Sequence, residues 1–216
     1  MAKIDKKKRM KKNIFIIASL FSVNTITAQV KIAAKAGWNY ATTKAVYNGV
    51  NQPTDFAFGY GIGALAKVPF DGALHFSPSV MINKRGFIIK PLTGTNKIEQ
   101  YSITYLDLVP SLSVDFPHKD NSFVISLGPD FGFTNFGKLK ATDNNNIVTT
   151  QKIQFGYGSI GWFDIGLSAS VAYHLKKIFI EAGLMYGLTS INNNEEIDQR
   201  NIRNRMAGLN IGYYFK

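Results

Sequence analysis

The 216-residue sequence predicts an all-β fold, an eight-stranded antiparallel transmembrane β-barrel of up-and-down meander topology behind an N-terminal signal peptide. Three observations predict it. The first 28 residues have the layout of an export address. From Val30 onward the apolar residues recur with period two rather than 3.6. The connections between apolar runs alternate between short and long, as they do in outer-membrane barrels.

The address comes first. Lys6 to Lys12 form a basic segment, and Ile14 to Val23 follow as an apolar core. A core of about ten residues suits a signal peptide and is too short to cross a bilayer as a helix. Thr25-Ile-Thr-Ala-Gln29 places cleavage after Ala28, and Met10 offers an alternative start. An uncleaved membrane anchor is the competing reading. The expected division is therefore a signal peptide over 1–28 and a barrel domain over 29–216. No later stretch reaches the ~18 apolar residues of a membrane helix.

Composition narrows the class. The net charge is +11, but seven of the 25 basic residues and only one of the 14 acidic ones fall in the first 28 positions. The basic pI thus belongs largely to the address, and no nucleic-acid partner is expected. Zero Cys excludes a disulfide scaffold, a thiolate zinc site and a cysteine nucleophile.

Each run shows the alternation. In the first, Val30, Ile32, Ala34, Ala36 and Trp38 share a face opposite Lys31, Lys35 and Asn39. In the second, Phe58 to Val68 alternate with Gly59, Gly61, Gly63 and Lys67. Leu74, Phe76, Val80 and Ile82 oppose His75, Ser77, Ser79 and Asn83 in the third. The fourth sets Leu106, Leu108, Leu112 and Val114 against Asp107, Ser111, Ser113 and Asp115. The fifth sets Phe123, Ile125, Leu127, Phe131 and Phe133 against Ser126, Gly128, Asp130 and Gly132. Phe163 to Val171 oppose Asp164, Gly166, Ser168 and Ser170 in the sixth, and Ile178 to Tyr186 oppose Glu181 and Gly183 in the seventh. Leu209, Ile211, Tyr213 and Phe215 close the eighth against Asn210 and Gly212. Runs of about 9–12 residues suit tilted strands crossing a bilayer.

Short connections fall at Pro69–Gly72, Pro117–Asn121 and His174–Lys177. Long ones span roughly Ala41–Ala57, Lys84–Ser102, Asn135–Gly161 and Thr189–Arg205. An even strand count puts both termini on the short-turn, periplasmic side. A soluble sandwich or lipocalin-like barrel would turn its apolar face inward. Here the minor face reads as polar and glycine-rich, and aromatics cluster near strand ends as girdles do. Pro78, Pro110 and Pro129 fall inside strands of a barrel that has no edge to hold them, so bulges are expected there.

At these residues the chain resembles the PorT-like outer-membrane β-barrel family of Bacteroidota. The resemblance is carried by Lys35-Ala-Gly-Trp-Asn-Tyr40, His75-Phe-Ser-Pro-Ser79 followed by Asn83-Lys-Arg-Gly86, and Tyr105-Leu-Asp-Leu-Val-Pro110. Leu127-Gly-Pro-Asp130, Ala182-Gly-Leu-Met-Tyr-Gly-Leu-Thr189 and Gly208-Leu-Asn-Ile-Gly-Tyr-Tyr-Phe215 complete it. The resemblance covers the mature chain and implies the barrel fold and the outer membrane. It gives no activity for most members; its namesake is linked to type IX secretion.

The polar face carries the charges. Lys31, Lys35, Lys67 and Arg85 face Asp107, Asp115, Asp130, Asp164 and Glu181, an almost neutral set. An eight-stranded barrel holds only side chains in its interior, and charges there need partners. The set therefore reads as a structural network plugging the lumen, with Lys67 provisionally opposite Asp107; a narrow small-solute channel is the alternative. Asp107 and Asp164 are the carboxylates best placed for general-base work, and both read as structural. His75, His118 and His174 all fall at periplasmic turns, away from any extracellular site. Gly59-Tyr-Gly-Ile-Gly63 is a strand with glycine on one face and lacks the helix of a nucleotide loop. No catalytic residue, cofactor or metal is expected.

The loops offer partners instead. Lys84, Arg85, Lys90 and Lys97 with Glu99, and Lys138, Lys140 and Lys152 with Asp143, make two loops basic. Such groups suit lipopolysaccharide phosphates or plain solvation. Asn192 to Glu196 with Asp198 offers oxygen ligands for calcium without the ordered spacing of a calcium loop, and Arg200, Arg203 and Arg205 could take those acids instead. The resulting expectation is a non-enzymatic outer-membrane protein with a plugged lumen, using long loops for surface interaction or envelope integrity. Outer-membrane lipid, lipopolysaccharide included, and an envelope or secretion protein are the expected partners.

Overall fold

A computed structural model describes residues 30–90, 97–194 and 198–215. The signal-peptide reading lies outside the described residues. Ten strands form one antiparallel sheet: β1 (Lys31–Tyr47), β2 (Val50–Asn51), β3 (Thr54–Asp71), β4 (Leu74–Ile89), β5 (Ile98–His118), β6 (Asn121–Thr142), β7 (Val148–Lys152), β8 (Phe163–Leu175), β9 (Ile178–Gly187) and β10 (Asn201–Tyr214). Eight of them close the barrel in the order β10-β9-β8-β6-β5-β4-β3-β1, sealed by β10 on β1 from Ala33↔Tyr214 to Val46↔Asn201. β2 and β7 are short additions at one rim, paired to β1 and β6. Sequential neighbours pair throughout, so the fold is an up-and-down meander with no free edge in the barrel wall.

The alternation decides which face meets lipid. Ile62, Leu112, Leu127, Leu184 and Ile211 are more than half exposed, while their neighbours on the opposite parity face the interior. A soluble protein would leave no such continuous apolar wall. In a bilayer the wall is solvated by acyl chains, and closing the sheet leaves no edge strand to present unpaired backbone groups to them. The fold is therefore a membrane barrel, and the end bearing Val30, Phe215 and the tight turns at Gly72, Lys119 and Lys176 is the end that barrels with short turns on one side turn to the periplasm.

Two expectations change. The strands run well past the predicted spans: β5 has 21 residues and β6 has 22. The expected first long loop shrinks to a tight turn at Asn48 and Gly49, because β1 and β3 continue upward. Lys84 and Arg85 belong to β4, Lys138 and Lys140 to β6, and Lys152 to β7, not to loops. Above the lipid the outward face has no need to be apolar, so Thr42, Lys44, Lys138 and Lys140 erase the alternation that marks a strand.

Pro78, Pro110 and Pro129 do not sit at bulges. Pro78 lies opposite Pro110. On β3 and β4 the ladder lapses beside Pro78, yet the register is the same on either side, Leu65↔Ser79 and Val68↔Phe76. Between β5 and β6 it lapses at Pro110 and Pro129, again with register kept from Leu108↔Phe131 to Leu112↔Leu127. Aligning the prolines across three strands confines the missing donors to a single row, so no extra residue is inserted. The register shifts lie elsewhere, at Phe56/Tyr60, Pro69/Asp71 and Thr104/Tyr105.

Candidate functional site

The interior is layered, and each layer comes from inward parity on several strands. At the periplasmic mouth Ala33, Leu65, Phe179 and Tyr214 form an apolar floor. Phe179 is fully buried and lies across Gly212, its register partner on β10; a Cβ there would strike the ring. His174 packs on Phe179 and Tyr214 with ring centroids 5.1 and 5.5 Å away.

Above the floor come two ion pairs. Lys35 Nζ donates to Glu181 Oε1 at 2.8 Å, and Asn210 Nδ2 donates to the same oxygen at 3.0 Å. Lys67 Nζ is paired with Asp115, not with Asp107 as the provisional assignment had it. Asp115 also lies 3.7 Å from His75 Nδ1. Next is a cavity of about 90 Å³, walled on one side by serines of β4, β5, β6 and β8.

The charged layer closes that cavity. Arg85 Nη2 lies 2.6 Å from Asp107 Oδ2 and 3.5 Å from Asp130 Oδ2, and its guanidinium stacks 4.7 Å above the Tyr105 ring. Asn83 Nδ2 donates to Asp107 at 2.6 Å. Asp164 has no cation within ion-pair distance among the described residues; it accepts from Asn204 Nδ2 at 2.8 Å and Thr189 Oγ1 at 3.0 Å. Arg85, Asp107 and Asp164 are each no more than 2% exposed. Of the nine charges singled out in the sequence, the structure brings eight into hydrogen-bonded or ionic contact. Lys31 is left exposed at the periplasmic rim.

Over this layer lies a second apolar core. Ile103, Ile202, Ile191, Phe87, Ile89 and Tyr101 are buried together, with Leu139, Ile153 and Phe155 packed against them. Phe87 stacks on Tyr101 at 4.6 Å. The inner face is thus not uniformly polar, as its sequence suggested, but apolar at both ends. This core holds up an extracellular head made of the strand extensions and loops. Arg200 ties the last loop to β5, with Nη1 2.7 Å from Glu99 and Nη2 2.6 Å from Asp198. Burial is the largest single influence on its pKa and pulls it down, but these contacts together outweigh burial and hold it above the ordinary arginine value. Asp198 therefore takes the arginine partner that the sequence offered it as an alternative to calcium; Glu195 and Glu196 lie outside the described residues. Among the described residues no three His, Asp or Glu side chains converge as a metal site. A groove of about 350 Å³ opens in the head between the β7 arm and the last loop, lined by Gln151, Gln154, Asn192, Asn194, Tyr101 and Asp198.

Sequence reasoning missed Asn204, Thr189 and Tyr105 as partners of the charged layer. The first two lay in a stretch read as loop. Tyr105 shares the inward parity of Asp107, which its position two residues earlier on the same strand makes visible in the sequence.

The family model described as an outer membrane protein beta-barrel domain matches residues 21–193. The chain belongs to this family. Among solved structures, this family member is similar in fold to Ail, the attachment invasion locus protein of Yersinia pestis, in complex with the heparin analogue sucrose octasulfate. The two share 13% identity over 86% of this chain and 99% of that one, with a TM-score of 0.44. OprG of Pseudomonas aeruginosa shares 10% over 86% and 95%, TM-score 0.44. Neisserial surface protein A shares 13% over 84% and 96%, TM-score 0.42. No curated protein matches in sequence. The family and the wall of lipid-facing residues place the barrel in the outer membrane.

Proposed function

We propose that this outer-membrane barrel is non-enzymatic, that its lumen is closed, and that its extracellular head makes surface contacts or supports envelope integrity. The observation that carries the reading is the Ile103 core stacked on the Arg85 layer. Together they interpose a buried block, apolar above and ion-paired below, between the serine-walled cavity and the head. A small solute would have to break a buried ion pair to pass, which is costly. The charge set Lys35, Lys67, Arg85, Asp107, Asp115, Asp130, Asp164 and Glu181 is structural in this reading. Catalysis at the head finds no support from the three histidines, which lie at the periplasmic end. The amide-lined groove suits a polar partner on the outside. Partners in this reading are outer-membrane lipid, lipopolysaccharide included, around the wall, and an envelope protein at the head or rim. PorT-like membership and a role beside a secretion machine rest on the sequence resemblance alone.

The test uses protein isolated from its own outer membrane in mild detergent, analysed for co-purifying proteins and reconstituted in planar bilayers. A flat current trace is expected. Reproducible conductance steps that disappear on removing the protein would overturn the closed lumen. Stoichiometric recovery of large secretion components would replace the stand-alone role with the accessory one.

A further inference from the structure

Three cations stand together on the outer wall where β1 meets β10. Lys44 lies directly opposite Arg203 in the closing register, and Thr42 lies opposite Arg205. Neighbouring strands are about 4.8 Å apart, and alternate residues on a strand about 6.7 Å. The three side chains therefore rise from a patch under about 10 Å across. Their parity is that of Trp38, Tyr40 and Ile211, which face lipid lower on the same strands. The patch begins one step beyond Tyr40, where the outward row of β1 changes from apolar and aromatic residues to Thr42 and Lys44.

The patch is held in shape but not neutralised. The Arg205 guanidinium lies 5.0 Å over the Tyr186 ring of β9, and its Nη2 donates to the Tyr186 hydroxyl at 3.4 Å. Arg203 Nε donates to Asn201 Oδ1 at 3.0 Å. Arg205 Nε has no hydrogen-bond partner among the described residues. None of the three cations has a carboxylate within ion-pair distance among the described residues. Asp55, whose carbonyl accepts from Thr42, gives its carboxylate to Lys90 at 2.6 Å, and Asp198 is taken by Arg200. Like charges set directly opposite on a sheet repel. An anion of matching shape would relieve that repulsion: arginine forks grip phosphate oxygens in pairs, and lysine adds a point charge.

We propose that this seam patch binds the phosphate groups of an outer-leaflet lipid headgroup. A headgroup suits it better than a soluble anion because the patch faces sideways, along the bilayer plane, at the level where acyl chains give way to polar groups. Two aromatic rings, Tyr40 and Tyr186, flank it from the lipid side. The site rests on lipid being a partner of the wall and is independent of whether the lumen conducts.

The full-length protein in detergent is titrated with diphosphoryl lipid A and, separately, with phosphatidylcholine, and binding is read by native mass spectrometry. Wild type is expected to retain lipid A in preference to phosphatidylcholine. Each of Lys44→Gln, Arg203→Gln and Arg205→Gln should weaken that binding about fivefold, and the triple variant on the order of 100-fold. The heat-dependent gel shift verifies that the triple variant remains a folded barrel. Lys138→Gln with Lys140→Gln, elsewhere on the wall, should keep wild-type binding. Lipid A that binds wild type and triple variant equally overturns the site. Wild type that retains no lipid A overturns the lipid-partner reading along with it. Displacement of lipid A by millimolar inorganic phosphate overturns the headgroup as the ligand source.

Discussion

Replacing Arg85 with methionine should destabilise the barrel by about 3 kcal/mol. The figure follows from the geometry. The Arg85 and Asp107 side chains are 2% and 1% exposed, so solvent screens neither. Removing one partner of such a pair costs about 3–5 kcal/mol, mostly because the other charge stays buried without it. The lower end applies because Arg85 Nε and Nη1 have no partner among the described residues, so the pair starts short of full satisfaction. Methionine keeps much of the side-chain volume over Tyr105 and limits any cavity cost. The assay is urea unfolding in lipid vesicles followed by tryptophan fluorescence. Trp38 and Trp162 are 44% and 59% exposed on the outer surface and report departure from lipid. Combining Arg85→Met with Asp107→Asn and Asp130→Asn should recover about 2 kcal/mol, since the carboxylates that Arg85 paired are removed with it, while Asp164 keeps its own hydrogen bonds from Asn204 and Thr189. A single Arg85→Met variant within about 0.5 kcal/mol of wild type would refute the reasoning, as would a triple variant no more stable than the single one.

Gly212→Ala should cost about 1–3 kcal/mol by forcing the buried Phe179 ring off its seat, read as a lower urea midpoint; a neutral result would mean that the floor can shift freely. Ile103→Ala removes the centre of the head core, and a loss of about 2–5 kcal/mol is expected. Limited proteolysis should then cut around β7 while the membrane strands stay protected, and cleavage no faster than in wild type would contradict a packed head. Arg200→Ala frees Glu99 and Asp198 together. Backbone amides of residues 188–194 should exchange faster, with those of Phe179 and Glu181 as unchanged references.

The membrane strands were legible because lipid imposes a constraint on every outward position, and Leu106, Leu108, Leu112 and Val114 could not satisfy it by chance. The same constraint explains what was missed. Beyond the lipid it lapses, so β5 and β6 continue through Lys138, Lys140 and Gln100 with nothing in the alternation to mark them. Inward positions obey packing rather than solvation, and packing depends on the opposite wall. Phe179 reads as an interruption of a polar face until Gly212 is seen across from it. The charged residues were recognisable by parity, but their pairs were not. Lys67 meets Asp115 and Arg85 meets Asp107 because strand tilt offsets residues that a flat reading would align. The prolines show the converse: each looked like a local defect, and only the register reveals a single shared row.

The head core draws Ala45 from the first strand and Ile202 from the last, with Phe87 and Ile103 between them. Ala45 and Ile202 therefore join the core only when the first and last strands meet on the far side of the bilayer. Until β10 docks on β1, that core is incomplete. Closure of the wall and completion of the head become one event, and a probe placed on the head from outside would act as a clock for the final step of membrane assembly.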